Sequence, residues 1–240
     1  MTDTQKVLDG LFLHHVEVTE GQLRIGDGVQ AVVLGPGLSQ NHDTVSFVLS
    51  LIDMISKPCV IDADGLNALA KNPEALQGQA NRSFVLTPHP RELSRLTNET
   101  VEVIQSDRIG AALAAARKFG SVIVLKGHYS VIASPTGQVF INPTGNSGMA
   151  TAGAGDVLSG MIGGLMARGS AALRCGGGRS LLAGKAGDLA ANRPELAGAQ
   201  ASLVATDILG PYSPGSGKLT GWRCILFGRK TLAIRLQFID

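Results

Sequence analysis

The stretch NSGMATAGAGDVLSG, residues 146–160, places several glycines around a single carboxylate, Asp156. Glycines let backbone amides approach a ligand closely, and the first turn of a helix offers unpaired N–H groups to an anion. An apolar helical pattern runs from about Ala154. Amides that bear the charge of a moving phosphoryl group, beside a carboxylate that takes a hydroxyl proton, indicate phosphoryl transfer. The alternative is a plain loop followed by an acidic residue that the helix dipole favours.

Two common nucleotide-binding loops do not match this stretch. No Gly-Lys-Ser/Thr follows the glycines, so the stretch is not a P-loop. No strand leads directly into it, so it is not a dinucleotide-binding fingerprint either. The predicted chemistry therefore rests on Gly153, Gly155 and Asp156 themselves.

Four more polar clusters directly follow β-rich runs, and ligands of open parallel sheets bind at the carboxyl ends of strands. In the first cluster, Gly35 and Gly37 bracket a proline, which is also typical of a tight turn. In the second, Asp62 and Asp64 precede a helical pattern. Asp64 could cap that helix, or the two carboxylates could bind hydrated Mg²⁺ or a ribose hydroxyl.

The other two clusters supply a histidine and a lysine. His89 lies between two prolines, which stiffen the backbone and favour a ligand contact over the more common surface histidine. Lys126 ends a strand and is followed by Gly127, so it could bind a phosphate or simply be solvated.

The elements that must position these clusters alternate between short strands and longer helices, which predicts parallel βα units. The runs predicted as buried strands are 31–34, 59–62, 83–87 and 121–126. Residues 130–141 predict a hairpin that adds antiparallel strands to the sheet. The sequence thus indicates an α/β fold with a mostly parallel central sheet.

Helical patterns lie between and after these runs. In segment 107–119 the apolar residues form one stripe that is expected to pack on the sheet: Ile109, Ala112, Leu113, Ala116 and Phe119. Residues 154–167, 181–192 and 201–210 also predict helices. The glycine-rich segment 170–180 has no helical period, and the residues from 211 to 221 are typical of a linker.

The composition of the chain limits the classes of protein to which it can belong. Its 240 residues suit one globular domain, and its net charge of +2 gives no basis for a nucleic-acid interface. The three cysteines are odd in number and far apart, so neither a metal quartet nor a full disulfide set is indicated. No signal peptide or apolar run of about 20 residues is present, so we expect a cytoplasmic protein without a membrane partner.

Taken in order, these motifs resemble the ADP-dependent NAD(P)H-hydrate dehydratase family, whose fold is ribokinase-like. The matching motifs are GPGLS (35–39), DADGLNAL (62–69), LTPHPREL (86–93), VLKG (124–127) and residues 146–160, with AGDLAA (186–191) and ATDIL (205–209) matching more loosely. The resemblance implies a three-layer α/β/α domain over residues 1–210. It also implies that ADP, with Mg²⁺, phosphorylates the hydroxyl of hydrated NADH or NADPH, and that loss of phosphate restores the nicotinamide ring.

The resemblance also implies roles for individual residues. Asp156 would be the catalytic base and contact the hydrate, together with Gly35, Gly37 and His89. The adenine nucleotide would be bound by a set of six residues: Lys126, Gly127, His128, Tyr129, Ser130 and Gly155. No metal ligands are assigned. Relatives are commonly tetramers, so a homo-oligomer is expected, with an epimerase as a functional partner.

Three segments have no counterpart that we recognise in the family pattern: 1–30, 170–180 and 221–240. We interpret the chain as lacking N-terminal strands. Residues 211–240 are interpreted as a divergent tail, and disorder is one alternative for this tail. Two alternative functions therefore remain open. One is a ribokinase-like kinase of vitamin precursors, and the other is a truncated nucleotide-binding protein without catalysis.

Overall fold

The fold was obtained as a computed structural model, which describes residues 16–19, 22–25, 28–76, 82–192, 203, 205–209 and 231–234. The nine strands of this part of the chain are β1 Val16–Thr19, β2 Gln22–Ile25, β3 Ala31–Leu34, β4 Cys59–Ile61, β5 Phe84–Leu86, β6 Val122–Leu125, β7 Ser130–Ala133, β8 Val139–Asn142 and β9 Thr231–Ile234. Strands β1 and β2 form a separate antiparallel pair. The other seven form one sheet in the order β8-β7-β6-β5-β4-β3-β9.

Parallel pairing dominates this sheet. Strands β9, β3, β4, β5 and β6 pair in parallel, whereas β7 and β8 form the antiparallel hairpin at one edge. The predicted strands and the hairpin are therefore confirmed. At the opposite edge, β9 pairs with β3, with Val32 opposite Leu232. Most of the predicted tail, including the linker from 211 to 221, lies outside the described residues.

Helices cover both faces of the sheet. The eight α-helices of the described residues are α1 His42–Met54, α2 Ala63–Leu69, α3 Pro90–Thr97, α4 Val101–Ser106, α5 Arg108–Phe119, α6 Ala154–Met166, α7 Ala172–Ala191 and α8 Ala205–Leu209. Helices α1 to α5 contribute to one apolar layer, and α6 to α8 contribute to the other. This is the predicted three-layer α/β/α arrangement.

Strand residues alternate between the two layers because successive side chains of a strand point to opposite faces. In β3, Val32 and Leu34 pack in the layer of α1, whereas Ala31 and Val33 pack in the layer of α6. Both sets are buried, which explains why the strands are continuous apolar runs in the sequence.

Helix α6 is apolar around most of its circumference because it lies against the sheet on one side and α7 and α8 on another. Gly160, Gly163 and Gly164 are all buried within it. Their small size allows the close packing that the sequence predicted, despite their low helix propensity.

One prediction about a helix was wrong. Residues 172–180, predicted to be non-helical, form the first half of α7. Gly176 lies so close to the sheet that an added Cβ would be 3.0 Å from a methyl group of Val124, so a larger residue would have to displace that side chain. Packing against the sheet thus outweighs the poor helix propensity of this glycine-rich segment.

The predicted apolar stripe of α5 is confirmed except at one end. Ala112, Ala116 and Phe119 are buried and Leu113 packs against the same layer, but Ile109 is 42% exposed. Ala115 is buried although the sequence did not place it on the stripe. The contact face is therefore rotated toward Ala115.

Within the described residues, none of the helices is long and apolar enough to cross a membrane.

Candidate active site

The four predicted clusters lie side by side at the carboxyl ends of β3, β4, β5 and β6, which are consecutive in the sheet. Backbone hydrogen bonds join the neighbouring strand ends. The amide of Asp62 donates to Leu34 O at 3.0 Å, and the amide of Lys126 donates to Pro88 O at 2.8 Å. The parallel topology therefore brings together side chains that are far apart in sequence.

Asp62 is at the centre of this edge and is almost fully buried. Its Oδ1 accepts hydrogen bonds from Lys126 Nζ at 2.7 Å and from the amide of Ala63 at 2.8 Å. Its Oδ2 accepts a hydrogen bond from Ser159 Oγ at 2.5 Å. One buried carboxylate thus contacts β6 through Lys126, α6 through Ser159 and its own helix α2. A buried charge needs this degree of pairing to be stable.

The helix cap in this cluster is Asp62, not Asp64 as the capping alternative proposed. Asp64 instead accepts hydrogen bonds from the Ser39 amide at 2.9 Å and from Gln40 Nε2 at 3.1 Å. Asp64 therefore anchors the loop after β3, and the two carboxylates bind different partners.

Lys126 is held between two carboxylates. Its ammonium group lies 3.7 Å from Glu92 Oε2 in addition to its 2.7 Å contact with Asp62 Oδ1, and its side chain is 20% exposed. The solvated alternative for Lys126 is therefore wrong, since the carboxylates fix the ammonium group beside the site. Glu92 and Ser159 were not singled out in the sequence. Glu92 has a recognisable signal, because it stands three residues after a helix start.

His89 forms the N-terminal cap of α3. Its Nδ1 accepts a hydrogen bond from the Glu92 amide at 3.2 Å, and its own amide donates to Glu92 Oε2 at 2.8 Å. Partial burial lowers the pKa of His89, an effect that Lys126 increases and Glu92 opposes. The lowered pKa favours the neutral imidazole, and the side chain remains 46% exposed at the strand-end edge.

Gly155, in the first turn of α6, lies against this network of Asp62 and Lys126. An added Cβ on Gly155 would lie 3.5 Å from Lys126 Nζ and 3.6 Å from Asp62 Oδ2. Asp156, the next residue, is exposed in the first turn of α6. Gly153 precedes the helix with φ of 84°, a conformation that favours glycine. The structure thus places the start of α6, Lys126 and Asp62 together.

Gly35 and Gly37 lie in the turn after β3. Gly35 has φ of 133°, and an added Cβ would be 1.7 Å from the carbonyl oxygen of Asp62. Only glycine can therefore occupy position 35. Gly37 is exposed and has φ of 71°. The two glycines form a tight turn, and that turn packs directly on the start of α2.

The predicted nucleotide segment, residues 126–130, joins β6 to β7. The guanidinium group of Arg108 donates hydrogen bonds to the carbonyls of Leu125, Lys126 and His128. Burial lowers the pKa of Arg108 from its ordinary value. Arg108 was missed in the sequence, since nothing near it in the chain indicates that it contacts a loop about 20 residues away.

The remaining residues of this segment are near the surface. His128 and Tyr129 are exposed, with ring centroids 4.1 Å apart, and Ser130 Oγ donates to Gly127 O at 3.2 Å. Tyr129 has a φ of 52°, which is uncommon for a residue other than glycine. The segment is therefore a tight turn with two aromatic rings on its outer side.

A family model described as NAD(P)H-hydrate dehydratase matches residues 2–209 of the chain, including residues 2–30, for which the motifs supplied no counterpart. The chain is 46% identical over 184 residues to the bifunctional NAD(P)H-hydrate repair enzyme Nnr of Moorella thermoacetica, covering 75% of this chain and 33% of that protein. It is 38% identical over 182 residues to the ADP-dependent (S)-NAD(P)H-hydrate dehydratase of Neisseria meningitidis serogroup B, covering 75% and 60%.

Among solved structures, the chain is similar to the ADP/ATP-dependent NAD(P)H-hydrate dehydratase of Bacillus subtilis, which was co-crystallised with ATP and Mg²⁺ and soaked with CoA. The TM-score is 0.65 and the identity is 32%, over 75% of this chain and 62% of that one. The chain thus matches between a third and three fifths of the length of the curated relatives named above.

Proposed function

The chain belongs to the NAD(P)H-hydrate dehydratase family, and from this premise we propose that it catalyses the ADP-dependent dehydration of hydrated NADH or NADPH. The hydroxyl oxygen of the hydrate attacks the terminal phosphorus of ADP, AMP leaves, and Asp156 takes the hydroxyl proton. The ring C–O bond then breaks, phosphate departs, and a neighbouring ring carbon loses a proton. NADH or NADPH, AMP and phosphate are the products.

One observation carries this proposal: the first turn of α6 lies against the Lys126 ammonium group at the carboxyl ends of four strands. The absence of a Cβ at Gly155 leaves space beside Lys126 Nζ, where an added methyl group would lie 3.5 Å away. Backbone amides of a helix start and a fixed ammonium group stabilise the charge of a phosphoryl group in transfer. A carboxylate next to them supplies the base.

We propose that ADP is bound by residues 126–130 together with Gly155. The hydrogen bonds from Arg108 to this segment support the proposal, because they hold its backbone in one conformation before the nucleotide arrives. Gly35, Gly37 and His89 are proposed to contact the hydrate. They follow β3 and β5, strands on either side of β4 in the sheet, and therefore share the edge that carries Asp62.

Magnesium fits this site as a companion of the nucleotide. Within the described residues, no group of three or more His, Cys, Asp or Glu side chains could hold a metal ion. Mg²⁺ in phosphoryl transfer is typically bound by substrate phosphates and one or two carboxylates. We therefore propose that it would enter with ADP, held mainly by the phosphates, with Asp62 and Glu92 as the carboxylates at this edge that would hold it, and that it would neutralise charge on the phosphates.

The test of this proposal is to incubate the protein with hydrated NADH, ADP and Mg²⁺ and to follow the recovery of NADH absorbance. Asp156→Asn should lower the rate by about 10²–10⁴-fold, because a positioned base contributes that much. Asp43→Asn is the matched control, since Asp43 is also an exposed carboxylate in the first turn of a helix, α1. Wild-type activity no higher than that of Asp156→Asn would overturn the proposal.

We propose an epimerase as a functional partner. The name of the Moorella thermoacetica relative, a bifunctional repair enzyme, supports a second activity beside the dehydratase in that protein. We also propose a homo-oligomer, a tetramer on the family resemblance, and a cytoplasmic location for nicotinamide nucleotide repair.

A further inference from the structure

We propose that Asp188 is a positioning residue that holds residues 144–149 and thereby fixes the loop leading to Asp156. Asp188 belongs to the AGDLAA motif, to which the proposed reaction assigns no role. The inference rests on the proposed function, because the loop matters only if the start of α6 binds a phosphoryl group.

The carboxylate of Asp188 contacts the loop at two adjacent residues. Its Oδ2 accepts a hydrogen bond from the Gly145 amide at 3.0 Å, and its Oδ1 accepts one from Asn146 Nδ2 at 3.0 Å. Asn146 in turn accepts a hydrogen bond from the Gly148 amide at 3.0 Å, which forms the single helical turn Ser147–Met149. Asp188 therefore fixes both the backbone and the capping side chain of this turn.

The same face of α7 approaches the loop too closely for side chains. An added Cβ on Gly184 would lie 2.1 Å from Thr144 Oγ1, and one on Gly187 would lie 2.3 Å from the sulfur of Met149. Thr144 Oγ1 also donates a hydrogen bond to the carbonyl of Leu181 at 2.9 Å. Positions 181, 184, 187 and 188 share one helical face by their spacing. This face is shaped to receive the loop.

The far end of the loop is held separately. An added Cβ on Gly153 would lie 3.2 Å from the Cβ of Ala205, which begins α8 and the ATDIL motif. Gly145 and Gly153 both have positive φ, 103° and 84°, so the chain bends sharply at each end. The segment between them is thus fixed by α7 at one end and packed against α8 at the other. It delivers Gly155 to Lys126.

The experiment measures the dissociation constant for ADP by calorimetry in Asp188→Ala, Asp188→Asn and the control Lys185→Ala. Lys185 is an exposed charged residue on the same helix. We expect Asp188→Ala to weaken ADP binding by about tenfold, because a loop that is no longer held occupies the binding conformation for a smaller fraction of the time and the apparent affinity falls by that fraction. Asp188→Asn keeps one acceptor and should recover part of the loss, whereas Lys185→Ala should bind as wild type.

Thermal unfolding of each variant separates positioning from simple destabilisation. An unfolded fraction raises the apparent dissociation constant only where it is populated at the temperature of the titration. A variant that is fully folded at that temperature and still binds ADP more weakly has lost positioning. The single variants Asp188→Ala and Asn146→Ala are compared with the double variant. The double variant should bind ADP no more weakly than the single variant with the lower ADP affinity, because the two side chains act through one contact. Hydrogen exchange of the Gly145 amide should also speed up in Asp188→Ala.

Unchanged ADP affinity in both Asp188 variants, or loss of cooperative unfolding in both, would overturn the inference. If the wild-type protein binds ADP but does not dehydrate the hydrate, the proposed function fails while the inference about Asp188 is still decided by ADP affinity. If it binds no ADP, the proposed function fails and unchanged exchange at Gly145 in Asp188→Ala would overturn the inference on its own.

Discussion

At the residue scale, Asp62 determines the arrangement of the site more than any other side chain described. It binds Lys126, 64 residues away, and Ser159, 97 residues away. Removing one partner of a buried ion pair leaves an uncompensated charge, so the Asp62 and Lys126 side chains depend on each other. The position of the ammonium group beside Gly155 is a consequence of this pairing.

His89 makes stability depend on pH. Burial lowers its pKa in the folded state, so the unfolded chain takes up the proton first as the pH falls below about 6.5. The unfolded state binds more protons in that window, and the free energy of unfolding therefore decreases with falling pH. His89→Asn keeps a side-chain acceptor for the helix cap and does not titrate.

Urea unfolding of both proteins between about pH 7.5 and 5.5 checks this prediction. The wild-type free energy of unfolding should fall more steeply than that of His89→Asn, because the other titrating groups are common to both. Equal slopes would mean that His89 has the same pKa in the folded and unfolded chains.

At the element scale, α7 explains why a glycine-rich segment is helical. Its glycines are of two kinds: Gly176 and Gly184 closely approach the sheet and the loop, whereas Gly178 has no atom within 4 Å of its added Cβ. Helix propensity alone favours alanine over glycine at every one of these positions. Packing reverses that preference only where another element lies within contact distance.

Alanine substitutions in α7 should therefore have opposite effects. Gly184→Ala places a methyl group 2.7 Å from the backbone of Thr144 and should destabilise the fold by about 1–3 kcal/mol. Gly178→Ala should stabilise it by up to about 1 kcal/mol, because it gains helix propensity at no steric cost. Equilibrium urea unfolding measures both. Stabilisation by Gly184→Ala would contradict the close approach of α7 to the loop.

At the scale of the whole molecule, strand β9 extends the sheet beyond β3. It pairs in parallel with β3, and its four residues follow the register of Ala31–Leu34. The motifs indicated a sheet that lacks N-terminal strands. Pairing with β9 satisfies backbone groups that an open edge would leave available to other chains.

Proline substitutions test this pairing. Amides of successive strand residues point to opposite sides, so only one of Leu232 and Ala233 donates to β3. Proline at the position whose amide donates to β3, either Leu232→Pro or Ala233→Pro, should lower the thermal unfolding midpoint by about 2–4 °C, which corresponds to about 1 kcal/mol in a protein of this size. Proline at the other position removes no hydrogen bond to β3 and is the control. Identical midpoints in both variants and the wild type would exclude the β9 pairing.

The amino-acid sequence by itself determined which segments form the four parallel strands β3 to β6, the hairpin and the loop before α6. These features depend on local patterns: buried apolar runs, positions of Gly and Pro, and amides freed at a helix start. Local patterns alone therefore suffice to assign the motifs GPGLS, LTPHPREL and VLKG to the ends of strands.

Only the tertiary structure decided how these elements meet. The pairing of Asp62 with Lys126, the hydrogen bonds of Asp188, and the helical state of residues 172–180 each depend on contacts between residues far apart in sequence. Local propensity argued against the last of these, and packing on the sheet outweighed it. Energies of long-range contacts are absent from any local pattern, because they arise only when the sheet brings its strand ends together.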